Sequence, residues 1–383
     1  MITRENVVEL AQFESPENGA VSFYFQPGVP QNKAHREETI RVREAVRQAM
    51  QQAEKNKSAR EDLERVLATA ERLPGNVRLA KAIFACGAKG FWREYDLPPQ
   101  LAGTWAAVGR RFRLRPLTPI AGLLPRVAIA LIGRSRFRWF ELWMGEMREK
   151  ESFSSELPRR SRSDGFAGYD AGHAERRVDQ EAQHHFKRVA ERLQQPGYDR
   201  LIIGCRDETW ADMEPQLHAY ARGRLIGRFV PEWPAMGADA VRREAERVLN
   251  DFREQRRREL CRRVKDEAKA QGHGALGIKR VLRSLEAGEV QTLLLGEGFA
   301  APAVICSHCG HVDPLRASGA CASCGGETRR VEDVADLLLG TAVRNGIEIV
   351  HVPPEEEFEK IGNVAALLRF RADQNTNVMQ QAG

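Results

Sequence analysis

Four cysteines, Cys306, Cys309, Cys321 and Cys324, stand in a C-x2-C-x11-C-x2-C arrangement. A C-x2-C pair makes a turn whose two thiolates face one ion, and two such pairs fill the tetrahedral shell that Zn2+ prefers. The glycines Gly325 and Gly326 follow the second pair and permit tight backbone turns. His308 and His311 are possible replacement ligands, but four thiolates make them unnecessary. The spacing therefore predicts a structural Zn2+ site, with a metal-free loop or redox-active pairs as alternatives. A closed four-sulfur shell has no open position for an activated water, so the predicted metal folds a short ribbon and does not catalyse.

A second stretch with chemical potential is "GFAGYDAGHAERR", from Gly165 to Arg177, where three glycines lead into a charged helical pattern. Such a loop serves equally as a hinge or as an element that reaches another molecule. Asp170, His173 and Glu175 are candidate general bases, but no partner is visible for any of them, and a surface role is the expectation. Three basic runs, "GRRFRLR", "RSRFRW" and "PRRSR", suit phosphate contacts. Arg110, Arg111 and Arg113 of the first run, with Arg176 and Arg177 beside the glycine loop, are the candidate RNA-binding residues. Phe112, Phe137 and Trp139 interleave with these cations, but Phe137 and Trp139 would share one face of a strand and are expected in the core.

These residues need scaffolds, and 383 residues exceed what one hydrophobic core serves efficiently, so two or three domains are expected. The net charge of +6 and a pI near 9.0 favour a polyanionic partner. No apolar run approaches the roughly 20 residues that span a bilayer, and the start "MITRENVVELAQFES" has no signal-peptide pattern. A cytoplasmic protein with no membrane partner is expected. The scattered Cys86, Cys205 and Cys261 fit a reducing compartment better than a disulfide framework.

The pattern of elements is α/β. Residues 1–115 read as a variable N-terminal α/β domain, with strands at "VSFYFQP", "LAKAIFACG" and "GFWREYDLP" and helix from Arg36 to Leu73. Ser58 and Glu61 have capping-box spacing and predict a helix restart there. "RPLTPIAGLLPR" marks a boundary. A middle domain over 126–262 begins with paired strands "RVAIALI" and "RFRWFELWM", passes through the glycine loop at 165–172, and continues with a helix over His173–Leu193 and the strand "RLIIG". A long charged helix from Ala238 to Ala270 would bury Val241, Ala245, Val248, Leu249 and Phe252. Residues 263–374 form an α/β C-terminal domain with the ribbon inserted at 303–329, and 375–383 is a tail with little to bury.

Three stretches in this order resemble the archaeal and eukaryotic class I peptide-chain release factors, their relative Pelota, and the bacterial branch of that superfamily, including Balon-like hibernation factors. They are "RSDGFAGYDAGHAERRVDQEAQHHFKRVAE", "GIKRVLRSLEAGEVQTLLL" and "FEKIGNVAALLRF". The resemblance implies three domains: a variable first domain, a ribonuclease-H-like middle domain whose loop reaches the peptidyl-transferase centre, and a C-terminal domain like kink-turn-binding ribosomal proteins. It implies ribosome and rRNA as partners, and a translational GTPase such as elongation factor Tu. No G-x-x-x-x-G-K-[ST] occurs, so nucleotide binding of that type is not expected in this chain.

Aligned on Val189-Ala190-Glu191, the release factors' Gly-Gly-Gln triplet falls on Ala167, Gly168 and Tyr169, and Arg176 matches a family arginine. The second glycine is kept; the first glycine and the glutamine are not. In release factors the glutamine region is thought to position water against the peptidyl-tRNA ester beside oxyanion donors. Taken with the resemblance, the substitution implies a non-enzymatic factor occupying the ribosomal A site in hibernation or rescue, with no catalytic residue assigned. A peptidyl-tRNA ester hydrolase with a divergent loop, and an RNA-binding protein unrelated to the A site, are the competing readings. "KNKSARE" departs from the Asn-Ile-Lys-Ser codon-reading motif, and a helix cap at Ser58 accounts for it.

Overall fold

A computed structural model describes residues 2–15, 17–28, 34–53, 56–77, 79–98, 103–118, 125–143, 145–155, 168–232, 236–314, 319–331 and 333–372, with the side chains of 168–175 outside that description. The chain divides into two compact units, Met1–Leu123 with Arg257–Gly383, and Leu124–Arg256.

In the first unit, α1 (Arg4–Gln12) precedes β1 (Ala20–Phe25), α2 (Arg36–Gln52), α3 (Lys57–Ala70), β2 (Ala80–Cys86), β3 (Phe91–Leu97) and β4 (Trp105–Gly109). The strands form an antiparallel sheet in the order β3-β2-β1-β4. One of its faces is covered by the apolar stripes of α2 and α3, through Val42, Val46, Ala49, Leu63, Val66 and Ala70. Thr3 starts α1 with a reciprocal capping box to Asn6. The restart of α3 differs from expectation: Asn56, not Ser58, is the cap. Its Oδ1 accepts the Ala59 N–H at 3.0 Å while its Nδ2 donates to the Glu17 carbonyl at 2.7 Å. Asn56 closes the helix end and anchors a distant loop at once, which a serine hydroxyl lacks the reach to do.

The second unit holds β5 (Val127–Ile132), β6 (Arg136–Trp143), β7 (Glu146–Ser154), α4 (Gly168–Gln194), β8 (Arg200–Gly204), α5 (Asp207–Met213), α6 (Ala219–Arg222) and β9 (Leu225–Phe229). The sheet order is β7-β6-β5-β8-β9, antiparallel through the first three strands and parallel from β5 onward. Alternation along β5 supplies both faces. Ala128, Ala130 and Ile132 pack with Ala182, Phe186, Val189, Ala190 and Leu193 of α4, whose spacing is that of one helical stripe. Val127, Ile129 and Leu131 meet Val241, Ala245, Val248 and Leu249 of α7 (Ala238–Lys269). Each large side chain fully buried in these layers contributes about 1.5–3 kcal/mol. Phe137 and Trp139 lie in the α4 layer, 0% and 5% exposed, as expected of core residues.

The rest of the first unit follows α7. It comprises β10 (Gly274–Leu276), α8 (Gly277–Glu286), β11 (Val290–Gly296), β12 (Ala303–Cys306), β13 (Val312–Asp313), β14 (Thr328–Val331), α9 (Val334–Arg344), β15 (Glu348–Val352), α10 (Glu356–Glu359) and β16 (Val364–Leu368). A mixed sheet, β10-β16-β11-β15, is sandwiched by its own alternation. Leu293, Leu295, Val364 and Ala366 pack against α8 and α9, and Leu294, Ala365 and Leu367 against Cys261, Val264 and Phe358. A separate small sheet, β13-β12-β14, carries the cysteines. Among the described residues no helix is long and apolar enough to cross a membrane.

Candidate functional site

The cysteine cluster is built by two similar turns. β12 ends at Cys306, the backbone turns so that the Gly310 N–H donates to the Cys306 carbonyl at 3.1 Å, and Gly310 sits at φ +74°. The second turn repeats this: the Gly325 N–H donates to the Cys321 carbonyl at 2.9 Å, again with φ +74°. In both, the residue after the second cysteine must be left-handed, which explains a glycine at each position. Backbone N–H groups of His308 and Cys309 point at Cys306 Sγ at 3.3 and 3.4 Å, and that of Ser323 at Cys321 Sγ at 3.4 Å.

The sulfurs converge. Cys306 and Cys324 are 3.5 Å apart, Cys309 and Cys321 3.7 Å, and all four Sγ atoms lie within 4.8 Å of one another. A tetrahedron with Zn–S bonds of about 2.3 Å has sulfurs about 3.8 Å apart, so the cluster fits a four-thiolate metal site. The Cys309 and His308 backbone donors bring the Cys306 thiol down to about 6, so it is a thiolate at neutral pH. Cys306 and Cys321 are buried, and Cys309 and Cys324 form the exposed edge. His308 is exposed and His311 faces Glu286 at 3.3 Å, so neither histidine completes the shell.

Of the glycine loop, Ala167 lies outside the described residues, as does the run "PRRSR". Gly168 and Tyr169 form the first residues of α4, and Arg176 and Arg177 are exposed on that helix. The first basic run is placed differently. Arg110 Nε and Arg111 Nη2 both reach the carboxylate of Glu14, the latter at 3.3 Å, and Arg329 Nη2 joins them at 3.5 Å. Arg113 pairs with Asp336, and Phe112 is buried against Phe13, Phe84 and Phe91. The gathering of three arginines on Glu14 was not foreseeable from the basic run alone, because Glu14 and Arg329 are remote in sequence. The run of polar contacts continues with Arg115, which donates to the carbonyls of Gly296 and Phe299 at 3.2 and 3.1 Å, and Thr118, whose Oγ1 meets His351 Nε2 at 2.7 Å.

A buried histidine was also missed. His185, on the inner stripe of α4, is 0% exposed and hydrogen-bonds through Nδ1 to Ser155 Oγ at 2.9 Å. Burial lowers its pKa and favours its neutral form. The signal in the sequence was its position three residues after Ala182 and one before Phe186, on the buried face.

Comparison with known proteins bears on this arrangement. Residues 113–270 match the family model "Bacterial archaeo-eukaryotic release factor family 10". The match covers less than half of the chain, and over these residues the chain is similar to the release-factor and Pelota superfamily. The chain is similar to curated proteins named peptide chain release factor subunit 1. It is 27% identical to that of Pyrococcus abyssi over 255 residues and 28% to that of Thermococcus sibiricus over 255. In both cases the similarity covers 58% of this chain, and the chain spans 60% of the relative's length. Solved structures similar to it include an archaeal translation termination factor, aRF1, at 16% identity, covering 96% of this chain and 99% of that one, with a TM-score of 0.25. Another is Archaeoglobus fulgidus Pelota at 12% identity, covering 96% and 93%, with a TM-score of 0.36.

Proposed function

We propose that this chain is a ribosome-binding translation factor that occupies the A site in hibernation or rescue and leaves the peptidyl-tRNA ester intact. The observation that carries the reading is the match over residues 113–270, which contains the release-motif position with Ala167 and Tyr169 in place of glycine and glutamine. Release chemistry needs a water and oxyanion donors held within hydrogen-bond reach of the ester. Replacing the first glycine removes backbone latitude, and a phenol in place of the carboxamide removes the group that would orient water.

The same reading takes 1–115, 126–262 and 263–374 as three functional domains, the second ribonuclease-H-like and the third like kink-turn-binding ribosomal proteins. The β7-β6-β5-β8-β9 order supports the former. Arg176 and Arg177, with Arg110, Arg111 and Arg113, are the proposed rRNA contacts. The four cysteines hold one structural Zn2+, which neutralises their thiolates and fixes the ribbon. A translational GTPase such as elongation factor Tu is the proposed delivery partner, and the cytoplasm the site of action.

Gly168, the glycine that is kept, favours a second reading as a hydrolase acting in release or rescue. One experiment separates the two. Ribosomes carrying peptidyl-tRNA are mixed with the protein, with a known release factor as control, and both pelleting and freed peptide are measured. The expected result is salt-sensitive co-sedimentation with no peptide release above background. Release approaching the control and abolished by Gly168→Ala would establish the hydrolase instead. Failure to pellet at low salt, with and without the GTPase, would remove both readings.

A further inference from the structure

Glu14 is the only carboxylate recorded against three guanidiniums, those of Arg110, Arg111 and Arg329, among the described residues. Two positive charges are left over at this point. Arg344 adds a fourth guanidinium: its Nη1 donates to the Ala11 carbonyl at 3.0 Å and its Nη2 to Thr341 Oγ1 at 2.9 Å, and it lies in range of the charges of Arg111 and Glu14. Lys89 Nζ, which donates to the backbone carbonyl of Glu14 at 2.7 Å, is a fifth cation. The side chains of Arg110, Arg111, Arg329 and Glu14 are each only about a third exposed, at 36%, 31%, 34% and 34%. Solvent therefore screens their mutual repulsion incompletely. One donor is left without an acceptor: among the described residues, Arg111 Nη1 is buried with no hydrogen-bond partner. A buried guanidinium N–H without a partner is costly, and an acceptor from outside relieves it.

We propose that Arg110, Arg111, Arg329 and Arg344 form a binding site for a phosphate oxyanion, with Glu14 as the internal counter-charge that holds the arginines together when the anion is absent. Guanidinium forks match phosphate oxygens in geometry and charge. The residues come from both sequence-distant parts of the first unit: the segment before the Arg115 turn, the ribbon strand β14 and the end of α9. A bound phosphate would thus link the base of the cysteine ribbon to the N-terminal sheet. Two sources supply the same chemistry, a small phosphate ester or inorganic phosphate and the phosphodiester of an RNA backbone. The second source rests on the ribosome-binding reading; the site itself does not.

The test uses the full chain. Thermal unfolding is followed in sodium phosphate and in sodium chloride at equal ionic strength, and phosphate affinity is measured by calorimetry. The wild type is expected to be stabilised by phosphate over chloride, and Arg111→Gln and Arg329→Gln each to weaken phosphate binding about tenfold, the loss of one charge-assisted contact. Glu14→Gln retains all four arginines, so phosphate should restore its stability more than it raises that of the wild type. Circular dichroism in chloride checks that each variant is folded. Equal stabilisation of wild type and both arginine variants, or no phosphate effect in wild type and Glu14→Gln alike, would overturn the site. In a second arm, a single-stranded RNA replaces phosphate. Weakening by Arg329→Gln supports the backbone source, whereas phosphate binding that depends on the arginines beside RNA binding that does not retains the site and assigns it to small phosphate species.

Discussion

Two clusters of like side chains in this molecule are assembled in opposite ways. The four thiols lie within one short stretch and are brought together by two local turns, each closed by a left-handed glycine, Gly310 and Gly325. The arginines around Glu14 come from positions 110, 111 and 329, and no local turn assembles them. In the first case the ligand geometry comes from two local turns held together by the pairing of β12 with β14. In the second it is a product of tertiary packing, held by one carboxylate. Breaking either cluster should therefore have different reach: the ribbon alone for the thiols, and the joint between distant segments for the arginines.

The largest effect is expected at the cysteine cluster. Cys306→Ser, or removal of metal by a chelator, eliminates a thiolate or the ion from a site of a kind whose apparent binding energy is about 10–16 kcal/mol. Elemental analysis should find about one zinc per chain in the wild type and much less in the variant. Hydrogen exchange should show loss of protection in β12, β13 and β14 while the β10-β16-β11-β15 sheet keeps its own. Unchanged metal content together with unchanged protection in the ribbon would show that the thiols hold no structural metal.

This contrast also determines what could be read before the structure. The cysteine site was legible because metal ligation imposes a spacing. The central strands and the stripe of α4 were legible because burial imposes a period, as in Ala182, Phe186, Val189 and Leu193. Edge strand β7, "EMREKESFS", was missed because its charged residues stand at the surface and give no alternating apolar signal. The cap of α3 was misplaced by two residues because the capping-box pattern at Ser58 competes with an Asn56 whose second hydrogen bond is tertiary. "GRRFRLR" was read as a basic run facing a polyanion. That its first two arginines share Glu14 depends on a contact no local pattern encodes.

A smaller effect is expected from the counter-charge. Glu14→Gln leaves three guanidiniums without their shared carboxylate and should cost about 1–2 kcal/mol in chloride, below the 3–5 kcal/mol typical of a fully buried pair because the groups are partly exposed. Glu149→Gln in the second unit is the matched comparison. Its carboxylate accepts from Arg138 Nε and Nη2 at 2.9 and 2.8 Å, one arginine instead of three, and its loss should cost about 0.5–1 kcal/mol. Denaturant unfolding with each transition assigned to its unit measures both. Equal losses would mean that Glu14 is an ordinary surface ion-pair partner and not the hub of a cluster.

The smallest effect is the pH dependence of that hub, and its sign follows from Glu14 alone. Burial by itself would raise the carboxyl pKa, but the hydrogen bond from Arg110 and the charges of Arg111 and Arg110 outweigh it and hold the group below its ordinary value of 4.5. The unfolded chain then binds the Glu14 proton at higher pH than the folded one. Its contribution is complete above the unfolded value and disappears as pH falls through the folded value. The difference in unfolding free energy between wild type and Glu14→Gln should be flat from pH 7 down to about 5 and shrink below 4.5. Other carboxylates lowered in the fold, such as Glu149 and Glu357, are common to both proteins and cancel in the difference. A difference that instead grew on acidification would mean that protonated Glu14 stabilises the fold, and the arginines would then need another explanation for their convergence.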